Sequence, residues 1–212
     1  MRDFPVFTTE NGVGSLVLKE IPYNGTAYVT IRDSSFPTEF LHECLSFCKA
    51  VGAEKVYATG NKILESYPLY TAVYRMTIPI EMIPDTEACV FPVTEKTLPA
   101  WREIYNNKME HVDNAAYMSE NAGREMLRRG DGYYIHCDGK VLGIGVASGD
   151  RIDCIASVVP RMGKKVVSAL AHTLFCDRVV LDVASTNEKA IRLYETMGFI
   201  KTAEVSRWYK IL

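Results

Sequence analysis

Apolar residues at Phe40, Leu41, Cys44, Leu45, Cys48 and Val51 recur every three or four positions, so PTEFLHECLSFCKAVG carries one apolar stripe and predicts a helix stopped by Gly52. Ahead of it, GSLVLKEIPYNGTAYVTIRD has the form of a hairpin around Asn24-Gly25. Behind it, EKVYAT (54–59) and the longer YTAVYRMTIPI read as strands on either side of GNKILESYPLY. Further on, ACVFPV (88–93) reads as a strand, and 98–111 and 115–128 as helices. GYYIHCDGKVLGIGVASGDRIDCIASVV predicts three strands joined by Asp138-Gly139 and by Ser148-Gly149-Asp150. A helix over 163–176, a buried strand VVLDVA (179–184), a helix over 186–197 and two strands within FIKTAEVSRWYKIL complete the order. This is an α/β (α+β) arrangement on a mixed sheet.

Composition narrows the function classes. With 212 residues, 48% hydrophobic and 24% charged, the chain can bury a sizeable core as one domain or two small ones. A net charge of −2 and no basic stripe interleaved with aromatics argue against a nucleic-acid partner. No apolar run is long enough to span a bilayer, and MRDFPVFTTENGVG lacks a charged and then apolar leader, so a soluble, cytoplasmic protein with no membrane partner is expected. Cys89, Cys137 and Cys154 lie in strand-like runs, while Cys44 and Cys48 lie on the apolar stripe, where core packing outweighs metal binding. HECLSFC has Ser46 where a zinc-protease helix needs its second His, and no metal site is expected.

TNEKAIRLYETMGF (186–199) is the most informative stretch. Ser185 and Glu188 have capping-box spacing, Gly198 supplies a left-handed stop, and Asn187 and Tyr194, seven residues apart, point to one side of the helix between them. In this element order, LDVASTNEKAIRLYETMGF resembles the GNAT superfamily of acetyl-CoA-dependent N-acyltransferases, over roughly residues 88–212. The resemblance implies a mixed, mostly antiparallel twisted sheet flanked by helices and splayed between its fourth and fifth strands. It also implies acetyl-CoA as co-substrate, no metal, and an amine of a small molecule or peptide as acceptor, attacking directly in a ternary complex; it allows a homodimer. By the same resemblance, Asn187 faces the pantetheine arm, and Tyr194 is the general acid that protonates the departing sulfur. A backbone N–H of the fourth strand, within Ile155, Ala156, Ser157 and Val158, polarises the acyl carbonyl.

The phosphate-binding motif departs from the family pattern. SVVPRMGKKVVSAL places Arg161, Met162, Gly163, Lys164, Lys165, Val166 and Val167 where a glycine-rich loop should hold the pyrophosphate on a helix N-terminus. One alignment sets Met162 at the usual Arg position and keeps Gly163; the other keeps Arg161 and loses the glycine. Lys164 and Lys165 sit at the positive end of a helix dipole, which either a bound phosphate or simple exposure to water would relieve.

Residues 1–84 read as a truncated copy of the unit in 85–212: EKVYATGNKILESY echoes DRVVLDVASTNEKAIRLY. The copy has no phosphate loop, and its Tyr67 is followed by Pro68 instead of a Gly-Phe ending. No unique general base stands out among Asp153, His136, Tyr133 and Tyr134, and Arg124, Arg128 and Arg129 suit either an anionic acceptor or a solvated helix face. Two functions stay open. One is an N-acetyltransferase; the other is a catalytically weak GNAT-like module that binds CoA thioesters or a partner.

Overall fold

The computed structural model describes residues 5–212 and divides them into two units, one ending at Val73 and resumed by Glu204–Leu212, the other spanning Tyr74–Ala203. The expected division at 84/85 therefore falls inside the second unit. Two long strands, β5 (Leu69–Pro79) and β11 (Ile200–Lys210), each contribute residues to both units.

The first unit holds β1 (Val6–Thr8), β2 (Gly12–Val17), the short helix α1 (Ile21–Asn24), β3 (Thr26–Ser34), α2 (Pro37–Ala50) and β4 (Lys55–Thr59). β1, β2 and β3 are antiparallel neighbours, β4 runs parallel to β3, and the end of β11 lies antiparallel to β4. The predicted stripe on α2 is buried: Phe40, Leu41, Cys44 and Cys48 pack with Leu16, Val29, Ile31 and Val56. Cys44 and Cys48 are thus core residues, and burial pushes their thiols up to about 12 and about 11. Asn24-Gly25 does not form a tight hairpin turn; Gly25, at φ 70°, caps α1, which bridges β2 and β3.

The second unit holds β6 (Cys89–Pro92), α3 (Leu98–Met109), α4 (Glu120–Arg129), β7 (Gly132–Cys137), β8 (Lys140–Ser148), β9 (Arg151–Ser157), α5 (Gly163–Ala171), β10 (Arg178–Ala184) and α6 (Glu188–Met197). β6 to β9 are successive antiparallel neighbours, and β10 is parallel to β9. The expected class, a mixed and mostly antiparallel sheet flanked by helices, is what the structure shows. Asp138 and Gly139 both take positive φ, 49° and 75°, as a two-residue hairpin turn requires.

Alternation on β8 decides what each sheet face carries. Ile144 and Val146 face Trp101, Tyr105 and Met126 of α3 and α4. Gly143 and Gly145 lie beneath α5: a Cβ on Gly143 would sit 2.7 Å from Val166 Cγ1, and one on Gly145 2.3 Å from Leu170 Cδ2. The two glycines let the helix approach the sheet closely.

Three further expectations about the elements need correction. The chain closes on one strand, β11, and not two; within the second unit, residues of β5 lie between β10 and the start of β11. Met76 and Ile78 on β5, 2% and 0% exposed, supply the apolar surface that a seventh local strand would have given. α4 begins at Glu120 and not at 115, because the Ser119 side chain accepts the Ala122 N–H and caps it there. α5 ends at Ala171, where Thr173 donates its hydroxyl to the Leu170 carbonyl and closes the last turn.

Candidate active site

The parallel pair β9–β10 is joined at only two positions, Val180 opposite Arg151 and Leu181 opposite Ile152. Beyond Ile152 the two strands part. A bulge precedes the split: Val146 opposes Cys154 while Ala147 opposes Ile152, so Asp153 is the extra residue on β9, and a bulge bends its strand and steepens its twist. The corresponding parallel pair of the first unit, β3–β4, stays joined over Thr26–Thr30 and Lys55–Thr59. A cleft between parallel strands therefore belongs to the second unit alone.

Strand alternation fixes which amides face the split. Val158 donates its N–H to the Leu142 carbonyl at 2.8 Å, and Ala156 lies opposite Ile144, so both are turned toward β8. Ile155 and Ser157 turn the other way, where β10 has already left, and their N–H groups have no strand opposite them. Of the four candidates for polarising an acyl carbonyl, geometry favours these two. The Ser157 hydroxyl donates to the Val159 carbonyl at 2.7 Å and holds the start of the loop that follows.

Tyr194 reaches this region from α6. It is 6% exposed, packs with Ile152, Val167, Leu181 and Phe199, and lies 5.6 Å from Phe199 ring to ring. Burial raises its phenol well above the ordinary value, with a smaller contribution from Cys154, so the hydroxyl keeps its proton. Cys154 is itself pushed up to about 12, by burial and by Asp153. Asn187 is the N-cap of α6: its Oδ1 accepts the Ala190 N–H at 3.3 Å. The expected capping box at Ser185 does not start the helix; the cap lies two residues later, which puts Asn187 before the helix and only Tyr194 on a helical turn. Asn187 lines a cavity of about 410 Å³ together with His111, Asp113, Thr186, Lys189 and Arg192. Thr186 donates to Asp113 Oδ2 at 2.7 Å and ties the loop after α3 to the start of α6.

The loop between β9 and α5 has the right frame for an anion and one obstacle. Val166 donates its N–H to Met162, which leaves the amides of Gly163, Lys164 and Lys165 as the unpaired first turn of α5. A Cβ on Gly163 would sit 2.8 Å from Leu193 Cδ2, so this helix start abuts α6 one residue from Tyr194. Arg161 holds φ 67°, a left-handed conformation costly for a side-chain-bearing residue. Val166 and Val167, 0% and 1% exposed, are core residues. Lys164 is exposed, whereas Lys165 is ion-paired to Glu87, which raises the lysine and lowers the glutamate.

The base candidates are largely committed elsewhere. Tyr134 donates its hydroxyl to the Thr97 carbonyl at 2.9 Å. Asp153 is exposed and pairs with Arg151 at 3.5 Å, and Arg151 also holds Asp182 at 2.8 Å. His136 stands edge-on to Phe91. Arg124 pairs with Glu120 on a solvated helix face, and Arg129 pairs with Asp131. Glu87, Gly143 and Gly145 escaped sequence reasoning; only the two glycines left a trace there, as gaps in the apolar run of β8. Among the described residues no group of three or more His, Cys, Asp or Glu could hold a metal ion, and no helix is long and apolar enough to cross a membrane.

No protein-family model and no curated protein matches the sequence. Solved structures do match the fold. A conserved Staphylococcus epidermidis protein of unknown function aligns with a TM-score of 0.63 at 9% identity, over 99% of this chain and 94% of its own. A GCN5-related N-acetyltransferase from Sphaerobacter thermophilus aligns with a TM-score of 0.58 at 10% identity, over 93% and 75%. A tandem GNAT protein from the clavulanic acid biosynthesis pathway aligns with a TM-score of 0.55 at 11% identity, over 94% and 78%. The fold is that of the GNAT acetyltransferases.

Proposed function

We propose that the chain is an N-acetyltransferase that moves an acetyl group from acetyl-CoA to a primary amine of a small molecule or peptide in a ternary complex. The carrying observation is the split between β9 and β10, with the unopposed amides of Ile155 and Ser157 on one side and the buried, protonated Tyr194 beside it. Acetyl-CoA supplies an acyl group activated as a thioester. The amides of Ile155 or Ser157 hydrogen-bond the acyl oxygen as it gains negative charge. The amine nitrogen attacks the acyl carbon, the carbon–sulfur bond breaks, and Tyr194 gives its proton to the sulfur while the amine loses one to solvent or an unassigned base. The first-turn amides of α5, with Lys164, fit a pyrophosphate, and Asn187 Nδ2, which the cap does not use, suits the pantetheine amides. We read the first unit as a truncated copy with no cofactor role, on the recurrence of its element order and its closed β3–β4 pair.

The Lys165–Glu87 pair and the crowded loop favour a second reading, a catalytically weak module that binds CoA thioesters or a partner. Calorimetry with acetyl-CoA, followed by thiol release against a panel of amines, separates the two. Binding with amine-dependent release supports the enzyme. Binding with no release by any amine leaves the module, and no heat at millimolar acetyl-CoA removes the cofactor from both.

A further inference from the structure

The cavity bordered by Asn187 holds about 410 Å³, within the range of small-molecule sites. Its walls come from the loop after α3, with His111 and Asp113, and from the connection into α6, with Thr186, Glu188, Lys189 and Arg192. Both carboxylates of these walls are engaged: Asp113 accepts the Thr186 hydroxyl at 2.7 Å, and Glu188 pairs with Arg192 one turn along α6. Lys189 and His111 are exposed, and neither forms a hydrogen bond or an ion pair among the described residues. The charged and ionisable groups left uncommitted in the cavity are thus N–H donors, an ammonium and an imidazole. Lys189 carries its ammonium on a flexible four-carbon stem rooted in the wall, so it can meet a ligand in the cavity without any movement of the backbone.

This cavity adjoins the candidate acetyl-transfer site, because Asn187 borders it and α6 carries both Lys189 and Tyr194. Lys189 precedes Tyr194 by five residues, roughly 7–8 Å of helix rise, a span comparable to a short carbon chain. A small acceptor with its amine at the split can therefore extend its far end to this wall.

We propose that the acceptor is an amine that also carries a carboxylate or phosphate, and that Lys189 and His111 hold this anion while the amine reaches the split; the assignment rests on the acetyl-transfer reading of the site. Hydrogen bonds from an ammonium to an anionic oxygen are shorter and stronger than neutral ones, so an acidic acceptor gains what an uncharged alkylamine does not. The same lysine repels an acceptor whose far end is a second ammonium, which selects against diamines. A phosphate of the cofactor is the other source of the same chemistry, but the first-turn amides of α5 already suit its pyrophosphate.

The test is an NMR titration of the full chain with γ-aminobutyrate, δ-aminovalerate and O-phosphoethanolamine, with pentylamine and cadaverine as controls, and with thiol release from acetyl-CoA followed in parallel. Saturable shifts of the amides of His111, Asp113, Lys189 and Arg192 are expected for the three anionic amines and not for the controls. Lys189→Ala should weaken that binding about tenfold and Lys189→Glu should abolish it, with acetyl-CoA affinity by calorimetry unchanged; the position is exposed, so both variants keep the fold. No saturable shift from any anionic amine at tens of millimolar would overturn the assignment, as would equal binding of pentylamine or cadaverine. A Lys189→Ala protein that loses affinity for acetyl-CoA instead would give the anion to the cofactor and overturn it too. The two readings fail separately: anionic amines that bind through Lys189 without thiol release count against acetyl transfer alone, whereas release as fast with pentylamine as with δ-aminovalerate counts against the anion site alone.

Discussion

Removing residues 1–84 should unfold the second unit, because that unit takes part of its core from β5 and the turn after it. Met76, Ile78 and Ile83 are 2%, 0% and 5% exposed and share one cluster with Val179, Leu181, Val183 and Phe199. Burying each is worth roughly 1.5–3 kcal/mol, so the three together contribute roughly 5–9 kcal/mol, before counting the strand hydrogen bonds lost with them. Domains of this size have about 5–15 kcal/mol in total. A fragment starting at Asp85 is thus left near or below zero. The point variant Ile78→Ala keeps the chain and should cost about 2–5 kcal/mol, a drop of roughly 1–2.5 M in urea midpoint at an m-value of about 2 kcal/mol/M. Trp101, 0% exposed in the second unit, reports its unfolding by fluorescence once Trp208 is replaced by Phe. A fragment from Asp85 with a cooperative transition at the parent's midpoint would refute the reasoning, as would an Ile78→Ala protein that melts like the parent.

Four further outcomes can be checked directly. Tyr194→Phe should lower turnover about a hundredfold with acetyl-CoA affinity unchanged, as expected for loss of a positioned proton donor; equal turnover removes Tyr194 from the chemistry. Since burial raises the Tyr194 phenol, its proton-bearing form persists above the ordinary value near 10, and the alkaline limb of the rate profile should show no loss assignable to it between about pH 9 and 10. Glu87→Gln frees Lys165 and should tighten CoA binding a few-fold, whereas Lys164→Ala with Lys165→Ala should weaken it about ten- to a hundredfold and less so in high salt, read by calorimetry. Asp182, disfavoured by burial but held below its usual range by Arg75 and Arg151, stabilises the fold above pH 4 and loses that contribution as the pH falls below it; Asp182→Asn should cost roughly 1.5–3 kcal/mol at pH 7 and flatten the acid limb of stability.

Local pattern carried much of this protein. The α2 stripe, the Asp138-Gly139 turn and the run ending at Gly198 are encoded in residues three or four apart, or adjacent, so periodicity and turn chemistry make them legible before any partner is known. The resemblance to GNAT proteins rested on the same kind of signal, a helix with its preceding strand and its stop, and the fold agrees with it. Helix starts were harder. Ser185 and Asn187 are both good caps, and the folded chain selects Asn187, whose Oδ1 takes the Ala190 N–H. What the tertiary structure decided involves partners far apart in sequence. β5 and β11 are both long apolar-bearing strands, and nothing local says that residues of β5 enter the second unit beside β10. Lys165 meets Glu87, 78 residues away, and Arg75 meets Asp182, 107 residues away, because sheet geometry brings those positions together. The split at the candidate site is of this kind too. It follows from one extra residue, Asp153, in the register between β8 and β9, and register is a property of two paired strands that neither strand's own sequence contains.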